Sequence, residues 1–506
     1  MNEQHPVKTL GDLARVAGGS IGWGGDTTIT GIEYDSRLVK PGVMFVAMRG
    51  GYADGHDYIT QALERGASAL LVERASDYPV PAIVVADSRA ALSPVAAAFF
   101  DHPSRQLKVV GVTGTDGKTS TSTIAEAMFA EAGFKTGLIG TVQIKIGTDV
   151  VDHESRQTTP ESLDIQRILR QMVDAGVEWA FLEATSHGLA MHRLDDVRFE
   201  IAAVTNITHE HIDFHGTREA YWAAKKRLFE MTTRHGGRSA VVNLDDPGAR
   251  STLDACAAEQ TVTYSQSNSR AGIFAHSISL STNGFSAIFE SPAGPIAITS
   301  PLLGGFNVSN SLCATGIALL AGIETDVIAR TLDNPPIIAG RMARIEEGQS
   351  FNVVVDYAHT PASLEKVLTL LRSFDDRGRI IVVTGSAGER DREKRPLQGT
   401  VCARLADISI FTNEDPRFED AGAIIGEIAA GARNAGGRPG ETFYEVEDRA
   451  EAIALAVSLA DAGDTILLAG KGHERSIILN GKKLPWDEAA VARRAIQTRI
   501  EQEREK

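Results

Sequence analysis

Apolar residues recur along this chain in short runs, each followed by a polar or glycine-rich segment. Val43–Met48 and Ala69–Val72 read as buried strands, and Tyr58–Gly66 as a helix ended by its glycine. The polar, proline-bearing segment 101–106 reads as a linker. From residue 107 strands and helices alternate. LKVVGV is a strand, KTSTSTIAEAMFAEAG a helix closed by Gly133, and 179–184, 201–206 and 239–243 are further strands. Such alternation predicts a mostly parallel sheet covered by helices. Pro335 and Pro336 break the pattern, and apolar runs at 351–356, 379–385, 407–412 and 464–470 predict a second doubly wound unit. Ligands of such sheets bind beyond the carboxyl ends of the strands. The closing RRAIQTRIEQEREK reads as a solvated helical tail without a function. The expectation is an α/β chain of three domains, 1–106, 107–337 and 338–506, the last two built on parallel sheets.

Length agrees, since 506 residues at roughly 100–200 per domain suggest about three domains. The net charge of −15 argues against general nucleic-acid or membrane-surface binding, so a phosphate-bearing ligand needs a local cluster of N–H groups, Lys and Arg. Three cysteines, Cys256, Cys313 and Cys402, without a CxxC pair argue against a disulfide framework or a thiolate metal site. The first residues lack an apolar signal core, and the apolar stretch from Ala90 to Phe100 is far short of the ~20 residues a membrane helix needs. A soluble, cytoplasmic protein without membrane insertion is expected, and no obligate protein partner is implied.

The segment GVTGTDGKTS (111–120) follows a strand and opens a helix, the context a phosphate loop needs. Gly114 and Gly117 let the backbone approach phosphates, Lys118 can reach the β/γ-phosphates, and Thr119 can offer its hydroxyl to Mg²⁺. The strict pattern wants glycine at 112, where this chain has Val112. The alternative is a tight glycine-rich turn without a ligand, but packing alone poorly explains GKT at a strand-to-helix junction. Lys118 is read as an exposed loop lysine with little packing.

Further along, Glu183 ends a strand, NITHEHIDFHG (206–216) follows another, and AAKKRLFE (223–230) reads as a helix with Leu228 and Phe229 on its apolar side. Mg²⁺ favours oxygen ligands; Glu183 can supply one, and His211 a neutral nitrogen. A charged lysine cannot ligate a cation, so the residues alone leave Lys225 as a surface charge. A different reading extends the segment so that His209, His211, Asp213 and His215 share one face, as a zinc hydrolase would use them. His209 and His215 read more simply as hydrogen-bonded loop residues.

Together these segments resemble the Mur ligases of peptidoglycan synthesis, most closely the member that adds the third peptide residue. The resemblance runs from about residue 30 to about 490. YDSRLVKPGVMFVAMRGGYADGHDY (34–58) looks like that family's uridine-nucleotide domain and GVTGTDGKTS like its ATP loop. GGFNVSN (304–310) and GRM (340–342) are similar to its nucleotide-binding segments. DYAHTP (356–361), GERDREKRP (388–396), NEDPR (413–417) and GKGHE (470–474) resemble its C-terminal domain. Each motif alone is weak; their order and spacing are specific.

The resemblance implies ATP contacts at Gly114, Thr115, Asp116, Gly117, Lys118, Thr119, Ser120, Asn307, Arg341 and Asp356. It implies substrate contacts at Ser36, Thr158, Thr159, Ser186, Arg193 and Lys225, with His187 in the same region. The family carries a lysine carbamylated by CO₂ in an AKxx[LI][FY] pattern, which Lys225 fits and Lys226 does not. A carbamate is anionic, so Thr119, Glu183, His211 and Lys225 become the implied Mg²⁺ ligands, and Lys118, Lys225 and His211 the catalytic set. The amino-acid pocket is implied at Arg390, Glu414, Asp415, Arg417, Gly470 and Glu474. The departures are Glu210 for an aspartate, Thr185 for a serine, Ala343 where GRxE has glutamate, and EDPR for DNPR.

The implied reaction starts from UDP-N-acetylmuramoyl-L-alanyl-D-glutamate. Its glutamyl carboxylate attacks the ATP γ-phosphate, and the amine of a diamino acid attacks the acyl phosphate. Arg417 offers a planar fork for a second carboxylate, which favours meso-diaminopimelate over lysine and then ornithine. Asp415, standing where DNPR has asparagine, would welcome an ammonium instead; alternatively Arg417 only pairs with Asp415 or Glu419 on the surface. Rival readings are a folylpolyglutamate synthetase, which DSRxVxPG and GKGHE oppose, and a catalytically silent nucleotide-binding partner protein, which the joint presence of Lys118, Glu183, His211 and Lys225 opposes.

Overall fold

The computed structural model describes residues 7–50, 53–152, 157–208, 210–237, 239–256, 260–374 and 378–504. Compactness divides the chain into two units. One holds 1–276, 288–296 and 309–332; the other holds 277–287, 297–308 and 333–506.

The first unit carries two sheets. In the N-terminal one, Gly31–Glu33, Val43–Val46, Ala69–Val72 and Ala82–Val84 run parallel, and Ser20–Ile21 closes an edge antiparallel. The strand expected over 43–48 thus stops at Val46. The helix expected over 58–66 spans Ile59–Glu64, with Gly66 at φ 93° just beyond its C-cap Arg65. Leu10, Leu13, Leu92, Val95 and Phe99 bury one face of this sheet. The apolar stretch at 90–100 is therefore a core helix, Ser88–Phe99, capped by the Asp87 carboxylate, which accepts from the N–H groups of Arg89 and Ala90. Segment 101–106 is no free linker. Pro103–Arg105 forms one tight turn with Pro103 and Ser104 buried, and the Arg198 N–H donates to Ser104 Oγ at 3.0 Å.

In the central sheet Lys108–Thr113 is flanked in parallel by Trp179–Glu183 and Phe199–Val204. Thr136–Ile139 lies beyond the first neighbour; Ser239–Asn243 and Gln260–Ser265 lie beyond the second. The chain thus passes from one side of Lys108–Thr113 to the other between its two neighbours. That reversal opens a crevice at the carboxyl ends of these three strands. Their burial, broken only at Lys108 and Glu200, explains why they read as apolar runs.

The second unit repeats the device. Its strand order is Ala343–Arg344, Asn352–Asp356, Thr465–Ala469, Ile380–Thr384, Ile408–Phe411, Phe443–Glu445, all parallel except the first. The last long strand inserts between the first two of the parallel set. Helices Pro361–Arg372, Lys394–Leu405 and Ala421–Asn434 bury one face through Leu364, Leu368, Cys402 and Ile428. Arg449–Leu459 and Glu488–Arg504 cover the other. The closing segment from Arg493 is helical as expected, and most of its described residues are exposed, but Ile496 is buried and Ala495 and Ile500 pack beside it on this face. No helix among the described residues is long and apolar enough to cross a membrane.

Two helices of this unit touch backbone to backbone. A Cβ built on Gly399 would lie 1.9 Å from the Ile428 carbonyl oxygen, whereas one on Gly426 would meet nothing within 4 Å. Gly399→Ala is expected to lower stability by about 1–3 kcal/mol through overpacking. Gly426→Ala, inside the same helix pair, is expected to raise it by up to about 1 kcal/mol. Urea unfolding midpoints of the two variants should move in opposite directions.

Candidate active site

Lys108–Thr113 delivers the chain into the loop 114–117, and helix Lys118–Glu131 begins at once. Glycine is required twice. A Cβ on Gly114 would sit 1.9 Å from Thr205 Oγ1, and one on Gly117, at φ 86°, 2.3 Å from Asn310 Oδ1. The loop is pinned from the neighbouring strand end. Thr115 N–H donates to the Asn206 carbonyl (2.7 Å), Asp116 N–H to Asn206 Oδ1 (3.0 Å), and Thr205 Oγ1 to the Asp116 carbonyl (2.6 Å). Thr115 Oγ1 lies 2.8 Å from the Tyr221 hydroxyl. Lys118 is half-buried, not an exposed loop residue: its Nζ folds back onto the carbonyls of Gly114 and Thr115, 2.9 Å each. The N–H groups of the helix start and this ammonium point to an anion site.

Glu183, at the end of the adjoining strand, is 1% exposed. Its Oε2 accepts from the hydroxyls of Thr119 and Thr141 (2.9 Å each), and its Oε1 from the Thr141 N–H (2.8 Å). Among the described residues it has no ion-pair partner. Thr141 Oγ1 also lies 3.0 Å from Thr158 Oγ1, and Thr159 Oγ1 donates to the Glu183 carbonyl (2.7 Å). Phosphate loop, metal-ligand candidate and substrate-contact candidates therefore share one hydrogen-bonded set. Thr185, the departure from serine, keeps a hydroxyl that caps helix Ser186–Ala190 by accepting from the Gly188 N–H (3.1 Å). Ser186 is buried with an unpartnered hydroxyl.

Lys225 is no surface charge. It lies in helix Arg218–Arg234, 2% exposed, and its Nζ donates to the Gly114 carbonyl at 2.6 Å. Burial first, then the charge of Lys118, push it well below the usual lysine range. Lys226 is half-exposed, while Leu228 and Phe229 are buried as their helical positions require.

The extended face needed for a zinc site does not form. Ile212–His215 is a short helix, and His211, at φ 56°, is its N-cap residue, so alternate residues no longer point together. His209 lies outside the described residues. The His211 ring stands 4.7 Å from that of His187 and 6.4 Å from Tyr221; His215 packs 5.4 Å from Tyr221. His187 is pushed down to about 4, chiefly by burial and then by the His211 charge. Arg193 is buried and engaged: it donates to the Thr159 carbonyl (3.0 Å) and pairs with Glu161 (2.8 Å), which also holds Arg89 of the N-terminal sheet region (2.9 Å). Ser36 is buried and donates to Gln61 Oε1 (2.6 Å). Gly51 and Tyr52, within the 34–58 motif, lie outside the described residues.

The remaining candidates belong to the second unit. Asn307 Nδ2 donates to the Leu303 carbonyl (2.9 Å). Asp356 accepts from the N–H groups of Met342 (2.9 Å) and Ala358 (2.8 Å), and Arg341 stacks 5.7 Å from the Tyr357 ring. Loops 414–417 and 470–474 meet. Gly470 has φ 106°, and its Cβ position lies 3.4 Å from Glu414 Oε2. Lys471, fully buried, donates to Asp415 Oδ1 (3.0 Å) and Glu474 Oε2 (2.6 Å), and Asp415 also accepts from the Ile478 N–H (2.9 Å). Arg417 pairs with neither Asp415 nor Glu419, contrary to the surface-pair reading. Glu419 is taken by the buried Arg395 (3.0 Å), and Arg417 Nε is buried without a hydrogen-bond partner. Glu414 is buried with Oε2 unpartnered, and burial pushes it up to about 7 against the opposing charges of Lys394 and Lys471. Arg390 is exposed on the 388–393 loop, whose Gly388 N–H donates to the Asp415 carbonyl (2.8 Å).

Sequence reasoning missed Thr141 and Tyr221, and touched Lys471 only through the GKGHE motif. Thr141 left a signal of its own, a threonine just past the carboxyl end of another strand of the parallel set.

A parallel sheet, a strand–loop–helix anion site at its crevice and a buried carboxylate beside it define an α/β nucleotide-binding enzyme. Three family models cover most of its length: "Mur ligase family, catalytic domain" over 28–104, "Mur ligase middle domain" over 112–318, and "Mur ligase, glutamate ligase domain" over 340–472. A UDP-N-acetylmuramyl-tripeptide synthetase from Roseiflexus sp. (strain RS-1) is 47% identical over 92% of this chain and 94% of its own. A UDP-N-acetylmuramoyl-L-alanyl-D-glutamate–2,6-diaminopimelate ligase from Geobacillus thermodenitrificans is 41% identical over 96% and 99%. A solved structure of a ligase of that second name matches with TM-score 0.69 and 30% identity over 95% of this chain and 97% of its own. The chain belongs to the Mur ligase family. It is an ATP-dependent, ADP-forming ligase.

Three substitutions probe this site. Gly140→Ala would place a Cβ 2.5 Å from Glu183 Oε1 and displace that carboxylate. Its expected effect is a large loss of kcat with the fold retained by circular dichroism. Lys225→Ala is expected to cost about 10²-fold or more in kcat, in the range of removing a preorganised electrostatic group. Lys226→Ala should cost far less; steady-state phosphate release compares the two.

Proposed function

We propose that this ligase joins meso-diaminopimelate to the glutamyl carboxylate of UDP-N-acetylmuramoyl-L-alanyl-D-glutamate, in the cytoplasm, as a step of peptidoglycan synthesis. The choice of diamino acid rests on one observation above the others. Asp415, which could have neutralised Arg417 or drawn in an ammonium, is already engaged by Lys471 and the Ile478 N–H, and the Arg417 guanidinium remains unpaired among the described residues. A planar fork without a partner suits a carboxylate at the far end of the amino acid. The names of the relatives point the same way. Lysine and ornithine remain the second and third choices.

The proposed roles carry over from the resemblance. Gly114 to Ser120 bind the ATP phosphates, and Asn307, Arg341 and Asp356 are further nucleotide contacts. Ser36, Thr158, Thr159, Ser186 and Arg193 hold the nucleotide-peptide, and Lys225 faces it. Arg390, Glu414, Asp415, Arg417, Gly470 and Glu474 build the amino-acid site, Asp415 as a strut between its loops. The proposed domains are 1–106 for the uridine nucleotide, 107–337 for ATP and 338–506 for the amino acid.

The donor set fits Mg²⁺. Glu183 is a buried carboxylate that accepts only neutral donors, with the Thr119 hydroxyl on one oxygen, and hard oxygens are what this ion prefers. Thr119, Glu183, His211 and a carbamate on Lys225 would hold it. Bound there, it would offset the negative charge of the transferring phosphoryl group. A deeply buried lysine favours its neutral form, the one that takes up CO₂. Lys118 and the loop N–H groups bind and orient the phosphates, and the substrate carboxylate takes the γ-phosphoryl. The incoming amine then displaces phosphate and leaves an amide.

A panel of diamino acids with ATP-Mg²⁺ and the nucleotide dipeptide tests this reading. Phosphate release is expected only with both acceptor substrates present, and fastest with meso-diaminopimelate. Arg417→Ala is expected to cost diaminopimelate use on the order of 2–3 kcal/mol, as for truncating one partner of a buried charge pair, and lysine use much less. Turnover of lysine or ornithine at least equal to that of diaminopimelate in the unaltered enzyme would overturn the assignment.

A further inference from the structure

The second unit contains a buried ion pair outside all the motifs. Arg449 and Glu488 are each 2% exposed. Arg449 Nε donates to Glu488 Oε1 (3.1 Å) and Oε2 (2.9 Å), and Nη2 to Oε1 (2.5 Å). The Trp486 indole N–H donates to Oε2 at 2.7 Å. Each residue opens a helix, Arg449–Leu459 and Glu488–Arg504, and the two helices pack together.

What Arg449 does with its remaining N–H groups is specific. Nη1 donates to the Asn413 carbonyl (3.1 Å) and Nη2 to the Ala469 carbonyl (2.9 Å). Asn413 immediately precedes Glu414, and Ala469 immediately precedes Gly470. One rigid guanidinium therefore holds the starting points of loops 414–417 and 470–474, across strands that are not neighbours in the sheet. A fork with several donors in fixed geometry can do this; an ammonium on a flexible stem cannot.

A buried ion pair is weak evidence for stability, because desolvation offsets most of the attraction. Its retention here is matched to a geometric task. Beyond the two carbonyls, Lys471 of one loop donates to Asp415 of the other, a side-chain contact that can deform. We propose that Arg449, oriented by Glu488 of the C-terminal helix, is a positioning residue that sets the separation of the two amino-acid loops and thereby the affinity for the incoming diamino acid. This rests on the reading above that those loops hold that substrate.

The test uses the full chain and three Michaelis constants: diamino acid, ATP and nucleotide dipeptide. Arg449→Lys keeps the charge and loses the fork. The expected result is a rise of at least about tenfold in the diamino-acid KM, as for misplacing a positioned group. The other two constants and the thermal midpoint should stay nearly unchanged. An unchanged diamino-acid KM overturns the proposal; so does a parallel rise of all three constants with a fallen midpoint, the signature of a purely structural pair. If Arg449→Lys does not fold, Trp486→Phe removes only the indole N–H from Glu488. A smaller rise in the same constant is then expected, and none overturns the proposal. Arg417→Ala in the same assay separates the two readings. If it leaves the diamino-acid KM unchanged, the assignment of the loops falls, and the positioning role with it. If it raises that KM while Arg449→Lys does not, only the positioning role falls.

Discussion

Two lysine nitrogens converge on one carbonyl oxygen. Lys118 approaches the Gly114 carbonyl from the helix that follows the loop, and Lys225 from a helix more than a hundred residues later. Two ammonium groups so close repel, and burial raises the cost for Lys225. The arrangement is at ease only when one nitrogen loses its charge or an anion arrives. Much of the first unit serves to maintain it. Gly114 has no side chain because Thr205 fills that space, and Tyr221, one turn before Lys225, lies at hydrogen-bond distance from the loop through Thr115. Glu183 lies beside it, tied to Thr119 in the first turn of the helix that follows the loop. The proposed carbamate on Lys225 would relieve this repulsion, and with Glu183 it would supply the negative charge that the proposed Mg²⁺ needs.

Both units solve the same problem in the same way. A parallel sheet whose strand order reverses exposes several carboxyl ends at one crevice, and short loops there bring residues distant in sequence together. In the first unit the loops after Thr113, Ile139, Glu183 and Val204 meet. In the second, those after Thr384, Phe411 and Ala469 do. Their rigidity comes from buried strands beneath and from side chains that grip backbone carbonyls: Thr159 on Glu183, Arg193 on Thr159, Arg449 on Asn413 and Ala469. Hydrogen bonds of this kind fix loops without a large apolar core.

The second unit also shows how a substitution that looks decisive can be neutral in charge. Asp415, read as a new negative charge in the amino-acid pocket, spends its carboxylate on Lys471 and a backbone N–H. Among the described residues, the side chain left without a partner is that of Arg417. Local composition suggested competition between the two; the packing separated them.

Features encoded within a few residues were legible. The strand–GKT–helix junction, the strand ends at Glu183 and Ala469, and most strand positions follow from apolar runs and turn chemistry, which act over one or two turns of chain. Order and spacing of the motifs also carried the family. Tertiary structure alone decided the rest. Residue patterns left Lys225 on the surface, because nothing near it in sequence reveals that Gly114 will stand over it. The 211–215 segment looked able to extend, yet closes into a short helix. The closing segment from Arg493 looked solvated throughout, yet Ile496 is buried in the second unit's core. The burial of a charge is settled by partners tens to hundreds of residues away, which local pattern does not contain.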